Sequence, residues 1–266
     1  MIRREDEALA AAAVAALTAL LEPGVQIVPT APHEAAALRW SARALAPGLT
    51  AMAAAARRTG AATLALREEL GAIGRGTERA ARQAGGGHRG AVWVLGLLVA
   101  GAALEPGAPI ACAKKIAAHP DRSAPREPSD GSIAAATYGA AGARGEARAG
   151  FPHVRRAAAA LAAARAADAS EHQARLDAQL TVVSTLQDTG LLHGAGPQGL
   201  RQVQAGARAV LEAGGASTPA GQRVLEAFRG ELREHGWPLR ASVPLLAGAL
   251  FVDTQPKAPG APALMP

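Results

Sequence analysis

The sequence predicts an all-α protein, and three observations carry that prediction. Ala, Leu, Arg and Glu, all strong helix formers, dominate the chain. Phe, Trp and Tyr together make up 3% of residues, and no alternating apolar–polar run exceeds a few residues. Pro and Gly punctuate the apolar stretches at helix-length intervals. With 266 residues and 49% hydrophobic content there is ample apolar material for one buried core. A single helical domain of about ten to twelve helices over residues 1–253 is therefore expected.

The first helix is placed at residues 5–21. Arg3 and Arg4 ahead of the apolar stretch Ala8 to Leu21 superficially resemble a signal peptide, but Glu5, Asp6 and Glu7 make the leading region net negative, which suits an ordinary helix. Helices follow at 33–46, 48–58 and 63–84, then at 89–104 and 108–118. The apolar run Ala91 to Leu104 is shorter than the roughly 20 residues of a membrane span and reads as a buried helix. His119 to Gly131 carries Pro120, Pro125 and Pro128 among polar residues and is expected to be a surface loop. Helices at 132–141, 153–168 and 171–189 come next, the last with Leu176, Leu180 and Val183 as its core stripe and Asp177, Thr181, Ser184 and Asp188 as its polar one. Helices at 197–213, 219–235 and 241–253 complete the domain, and residues 254–266, with four prolines, are expected to form a disordered tail.

Charge and cysteine content narrow the function classes. The net charge of +6 favours anionic ligands, yet aromatic residues are scarce and no basic run is interleaved with them, which argues against nucleic acid. Cys112 is the sole cysteine, so there is no intrachain disulfide and no Cys-built metal site, which fits a reducing, cytoplasmic setting without membrane attachment.

Three islands place charged or imidazole side chains beside glycines. The first, Gly85 to Gly90, sets Gly87, His88, Arg89 and Gly90 at the start of an apolar helix, where backbone N–H groups can cradle a phosphate. It is not a Walker loop, because no Gly-Lys-Ser/Thr occurs in it. The second holds Arg144, Gly145, Glu146 and Arg148; on a helix the two arginines would share a face with Glu146 nearly opposite, whereas a glycine-loosened turn could aim all three at one ligand. In the third, Gly190 is read as ending a helix just past Asp188 and Thr189, returning His193 to the vicinity as metal ligand, general base or phosphate contact.

Taken in order, His88-Arg89-Gly90 with the helix behind it, Tyr138 to Ala147, Phe151-Pro152, and Asp188-Thr189 with His193 resemble the triphosphoribosyl-dephospho-CoA synthase family from about residue 35 to 253. The resemblance is nearest to the malonate decarboxylase branch. It implies a transferase that joins the triphosphoribosyl group of ATP to the 2'-hydroxyl of 3'-dephospho-CoA, releases adenine, and so supplies the prosthetic-group precursor of the malonate decarboxylase acyl carrier, with that system's assembly proteins as partners. It further implies catalytic roles for Asp188, Glu146, His88 and His193. Gly87, Arg89, Gly90, Arg144, Gly145, Arg148 and Thr189 would bind phosphates, and Asp188 would hold Mg²⁺. The chain departs from the family pattern at Gly86-Gly87, where Asn-Thr is usual, at Gln187 and Pro244, where acids are usual, at Gly194, where arginine is usual, and around Val28 to His33. A relative that binds nucleotide or CoA without turnover is the alternative reading.

Overall fold

The computed structural model describes residues 1–125 and 129–256, and among them there are helices and no strands. The order is α1 (Arg4–Thr18, extended by a 3-10 turn), α2 (Pro32–Arg43), α3 (Ala46–Thr59), α4 (Leu64–Gln83), α5 (Arg89–Leu104), α6 (Pro109–Ala118), α7 (Asp130–Tyr138), α8 (Gly142–Arg148), α9 (Pro152–Ala166), α10 (Glu171–Val183), α11 (Thr189–Glu212), α12 (Pro219–His235) and α13 (Ser242–Asp253). The all-α expectation holds, and most boundaries fall within a few residues of those read from the sequence. No single helix among the described residues is long and apolar enough to cross a membrane.

Two apolar clusters build the core. The first centres on α5, whose fully buried Leu95 and Leu98 lie on a helix packed against α1, α3, α6 and α13; the second joins α10, α11 and α12 around Leu180, Val210 and Ile27. Helix α10 is the wall between them. Ala174, Ala178 and Val182, four residues apart, face the first cluster, while Leu176, Leu180 and Val183 face the second. The core stripe read from the sequence is therefore one of two, and the opposing polar stripe is not a solvent face: Asp177 accepts the Ala216 N–H at 2.7 Å and the Ser184 carbonyl accepts from Arg208 at 2.9 Å. One buried amide ties the clusters together. Gln179 accepts the Ile27 N–H at 2.8 Å and donates to Ser242 Oγ at 3.0 Å, whose hydroxyl passes on to the Leu239 carbonyl at 2.8 Å.

Three elements depart from expectation. Residues 142–148 form α8 despite two helix-weakening glycines, because Ala147 and Glu146 are buried. Helix α10 stops at Val183 rather than 189, and Asp188 begins the next helix instead of ending this one, so Gly190 lies in a first turn and is no helix stop. The helix expected at 197–213 is thereby preceded by a further helical stretch from Thr189, with a kink at Gly196, φ +66°, before Pro197. The stretch 119–131 is more than a surface loop, since the Asp121 carboxylate is buried between Arg67 and Arg75; residues 126–128 lie outside the described residues. Of the expected tail, 257–266 lie outside them as well, while Thr254 and Gln255 hydrogen-bond the Phe251 carbonyl at 2.7 and 3.2 Å.

Helices α5 and α6 meet at 114°, and their contact has no room for a side chain at Gly101, where a Cβ would sit 2.2 Å from the Pro109 carbonyl oxygen. Gly101→Ala is expected to destabilise the fold by about 1–3 kcal/mol in a urea titration. Gly76→Ala, on α4 with open space around it, is expected to stabilise by up to about 1 kcal/mol. Equal effects at the two positions would refute the close approach.

Candidate active site

A cavity of about 1050 Å³ opens at the seam of the two clusters, with Leu17, Leu21, Val94 and Leu245 of the first and Leu239 of the second in its wall. Its defining feature is the set of helix starts around it. The first turns of α5 (Arg89, Gly90, Ala91), α9 (Pro152, His153), α11 (Thr189, Gly190) and α13 (Val243, Pro244, Leu245) all line it. A helix start carries N–H groups and about half a positive charge; the starts of α9 and α11 are capped by Glu146 and Asp188, while those of α5 and α13 have no side-chain cap and suit an anion. Arg89, Arg156 and Arg240 add exposed guanidiniums to the same wall.

The structure brings together Gly87, His88, Arg89, Gly90, Gly145, Glu146, Asp188 and Thr189 in this one cavity. It does not bring in the other three residues expected there. Arg144 and Arg148 line a separate cleft on the far side of α8, because residues 142–148 are helical and the 144/148 face opposes the Glu146 face. His193 is exposed and absent from the cavity wall, because the chain runs on as helix past Gly190 and carries it away.

The glycine loop is pinned through His88. Its Nε2 lies 3.1 Å from the Leu38 carbonyl and 2.8 Å from Ser41 Oγ; a carbonyl only accepts, which keeps the proton on Nε2. Gly86 is what permits this approach, since a Cβ there would lie 2.5 Å from Ser41 Oγ. Burial pushes the His88 imidazole below its usual pKa, against the opposing effect of the Leu38 hydrogen bond. His88 thus docks the loop to α2 through Nε2.

Asp188 is the N-cap of α11, its Oδ1 accepting the Gly190 and Leu191 N–H groups at 2.9 and 3.1 Å. Burial raises its pKa, opposed by hydrogen bonds from Leu191, Gly190 and Ala241. Among the described residues no cluster of three or more His, Cys, Asp or Glu side chains could hold a metal ion. The donor set around Asp188 accordingly fits an ion carried in by phosphates, with one protein carboxylate beside it, and does not fit a cage built by the protein.

The sharpest polar arrangement is one that the sequence reading missed. Glu146 Oε2 lies 2.7 Å from His153 Nδ1, and its Oε1 accepts the His153 backbone N–H at 2.8 Å. A carboxylate accepts both bonds, so Nδ1 carries the ring proton and Nε2 is left as a basic lone pair. That Nε2 is buried without a hydrogen-bond partner among the described residues, a condition that costs about 1–3 kcal/mol. Both residues line the cavity. Phe151-Pro152 stood out in the sequence without its neighbour; the signal available was a histidine at the second position of a proline-started helix, seven residues after an acid. Arg156, which donates to Thr185 Oγ1 at 3.1 Å, and Arg240 were also missed as cavity cations.

A profile of the ATP:dephospho-CoA triphosphoribosyl transferase family matches residues 33–262. Similar curated proteins include a probable 2-(5''-triphosphoribosyl)-3'-dephosphocoenzyme-A synthase of Stutzerimonas stutzeri strain A1501, 46% identical over 84% of this chain and 80% of the relative. A protein of the same description from Azotobacter vinelandii is 45% identical over 84% of this chain and 80% of its own. No solved structure matches the chain.

The depressed pKa of His88 gives a signed pH effect. Below the unfolded-state value of 6.5 the unfolded chain binds a proton that the folded chain resists, so the His88 share of stability is complete above that pH and declines as pH falls through it towards the lower folded value. His88→Asn is expected to flatten the fall in unfolding free energy as the pH drops below 6.5. An unchanged pH slope in the variant would count against a buried neutral imidazole.

Proposed function

The chain belongs to the ATP:dephospho-CoA triphosphoribosyl transferase family, and from that premise we infer that it joins the triphosphoribosyl group of ATP to 3'-dephospho-CoA with release of adenine. The single observation that carries the reading to this structure is the Glu146–His153 pair at the wall of a cavity ringed by helix starts. The reaction needs both parts. Triphosphate must be held intact while the bond between the ribose anomeric carbon and adenine breaks, and a hydroxyl must lose its proton as its oxygen bonds to that carbon.

His153 Nε2 accepts the hydroxyl proton, and Glu146 stabilises the imidazolium that results while holding the ring in the tautomer that leaves Nε2 free. The electron pair of the broken C–N bond leaves with adenine, which takes up a proton to become the neutral base. Arg89, Arg156, Arg240 and the Gly90 N–H hold the phosphates, work that the resemblance assigned partly to Arg144 and Arg148. Asp188 and Thr189 anchor the start of α11 beside them. Asp188 is the carboxylate that would meet a Mg²⁺ bound to the triphosphate, and the ion would neutralise part of the phosphate charge. The product serves as precursor to the prosthetic group of a malonate decarboxylase acyl carrier; the resemblance supports this finer assignment.

The activity is tested by incubating the protein with ATP, Mg²⁺ and 3'-dephospho-CoA and following adenine and the triphosphoribosylated product by chromatography and mass spectrometry. Adenine without ADP is expected, since attack is at carbon and not at phosphorus. His153→Asn is expected to lower kcat at least ~10²-fold, and Glu146→Gln to lower it while shifting the pH profile, because the amide no longer stabilises the imidazolium. Asp188→Asn is expected to raise KM for ATP more than it lowers kcat. ATP binding with no adenine release by the unmutated protein would replace the transferase reading with the binding-only one.

A further inference from the structure

On the side of α8 away from the large cavity lies a cleft of about 100 Å³ lined by Arg67, Trp93, Arg144 and Arg148, with Asp121 at its base. Its charge is unbalanced. The Asp121 Oδ2 lies 2.8 Å from Arg75 and 3.6 Å from Arg67, and its Oδ1 accepts the Ser123 N–H at 3.1 Å. One carboxylate therefore stands against four guanidiniums, and among the described residues Arg144 has no ion pair. Arg148 Nε donates to the Ala117 carbonyl at 3.3 Å, which leaves the outer fork of its guanidinium for something else.

The cleft is also pre-organised. Arg67 is 6% exposed, and its guanidinium carbon lies 4.8 Å from the centre of the Trp93 ring, a cation–π contact that fixes its plane. The Trp93 indole is fixed in turn by donating to the Ala143 carbonyl at 3.0 Å, one residue before Arg144. Gly71 makes room for the acid, since a Cβ there would sit 2.0 Å from Asp121 Oδ2. Burial lowers the Arg67 pKa and Asp121 raises it, while Arg144, Arg75 and Arg148 each add a downward push; an anion in the cleft would relieve all three repulsions.

We propose that this cleft is a second anion site, specific for a single phosphoryl-type group and separate from the transfer cavity. Size excludes larger ligands, because pockets for whole nucleotide-sized molecules run from about 300 Å³ upward. Chemistry selects phosphate, since Arg67, Arg144 and Arg148 line one cleft and guanidinium forks match phosphate oxygens bidentately where a halide would use one contact. The phosphoryl group has two sources, free inorganic phosphate or the phosphate of a substrate reaching past α8. The inference stands apart from the catalytic reading, because binding is measured without turnover.

Inorganic phosphate is titrated into the full chain, with chloride at matched ionic strength as control, and followed through the Trp93 indole N–H resonance, assigned with Trp93→Phe. A saturable shift at Trp93 is expected, with Trp40 and Trp237 as internal references, and Arg144→Gln and Arg148→Gln are each expected to raise the half-saturating concentration at least ~10-fold. Both arginines are exposed, so neither change threatens folding. Unchanged KM values for ATP and dephospho-CoA in Arg144→Gln identify free phosphate as the occupant; a rise in KM for one substrate identifies that substrate's phosphate. A response that follows ionic strength alone, or one that neither substitution alters, overturns the site.

Discussion

Glu146 is the residue on which the arrangement of the cavity depends, because one carboxylate does two tasks. Its Oε1 takes the His153 N–H, one of the donors that the start of α9 would otherwise leave unpaired, and its Oε2 holds the His153 ring. Meeting both at once requires α9 to begin almost directly after α8, with only Ala149, Gly150 and Phe151 between them. The chain achieves this through Gly150 at φ +79° and Phe151 at φ +52°, the second a left-handed conformation that costs a non-glycine residue about 1–3 kcal/mol. Full burial of the Phe151 side chain and hydrogen bonds to an ionised group, worth about 1.5–3 kcal/mol each, offset it. The strain thus sits where the imidazole is aimed.

The second constraint is the convergence of helix starts. Four of them can face one cavity only if the helices arrive from both core clusters, and the Gln179 amide sets that meeting by tying the Ile27 segment and the start of α13 to the dividing helix α10. A buried amide left with one partner would carry an unmet hydrogen-bonding group, so the three segments hold their register together or lose it together. The polar seam between two apolar clusters is therefore both a joint and the floor of the site.

How far the sequence could be read follows from which physics is local. Helix α5 was legible to the residue, since the continuous apolar run Ala91 to Leu104 between a glycine loop and Glu105 admits one reading. The core stripe of α10 was legible for the same reason. Its end was not: a periodic polar stripe through Ser184 and Asp188 extends a helix on paper, but Asp188 gains more by capping Gly190 and Leu191 than by continuing. Helix α8 was hidden by glycine propensity that burial overrides. The candidate site was half legible, through Gly87 to Gly90, Glu146, Asp188 and Thr189. His153 escaped because the partnership that marks it exists only after an unusual turn at Phe151, which no spacing rule anticipates.

The departures from the family pattern acquire a consistent meaning in this geometry. Gln187 and Pro244 line the cavity where the resemblance expects acids, and Pro244 packs so close to Gly90 that a Cβ on Gly90 would lie 2.9 Å away. Removing acids from a cavity that must hold a triphosphate raises its positive potential and reduces the repulsion a polyanion meets on entry. The acid that the proposed proton transfer uses stands on α8, where Glu146 is tied to His153. A site that only held nucleotide would gain nothing from an imidazole buried with an unpaired nitrogen, because that nitrogen costs stability until something donates to it. The Glu146–His153 pair is therefore the feature on which the proposed transfer, as against retention, turns.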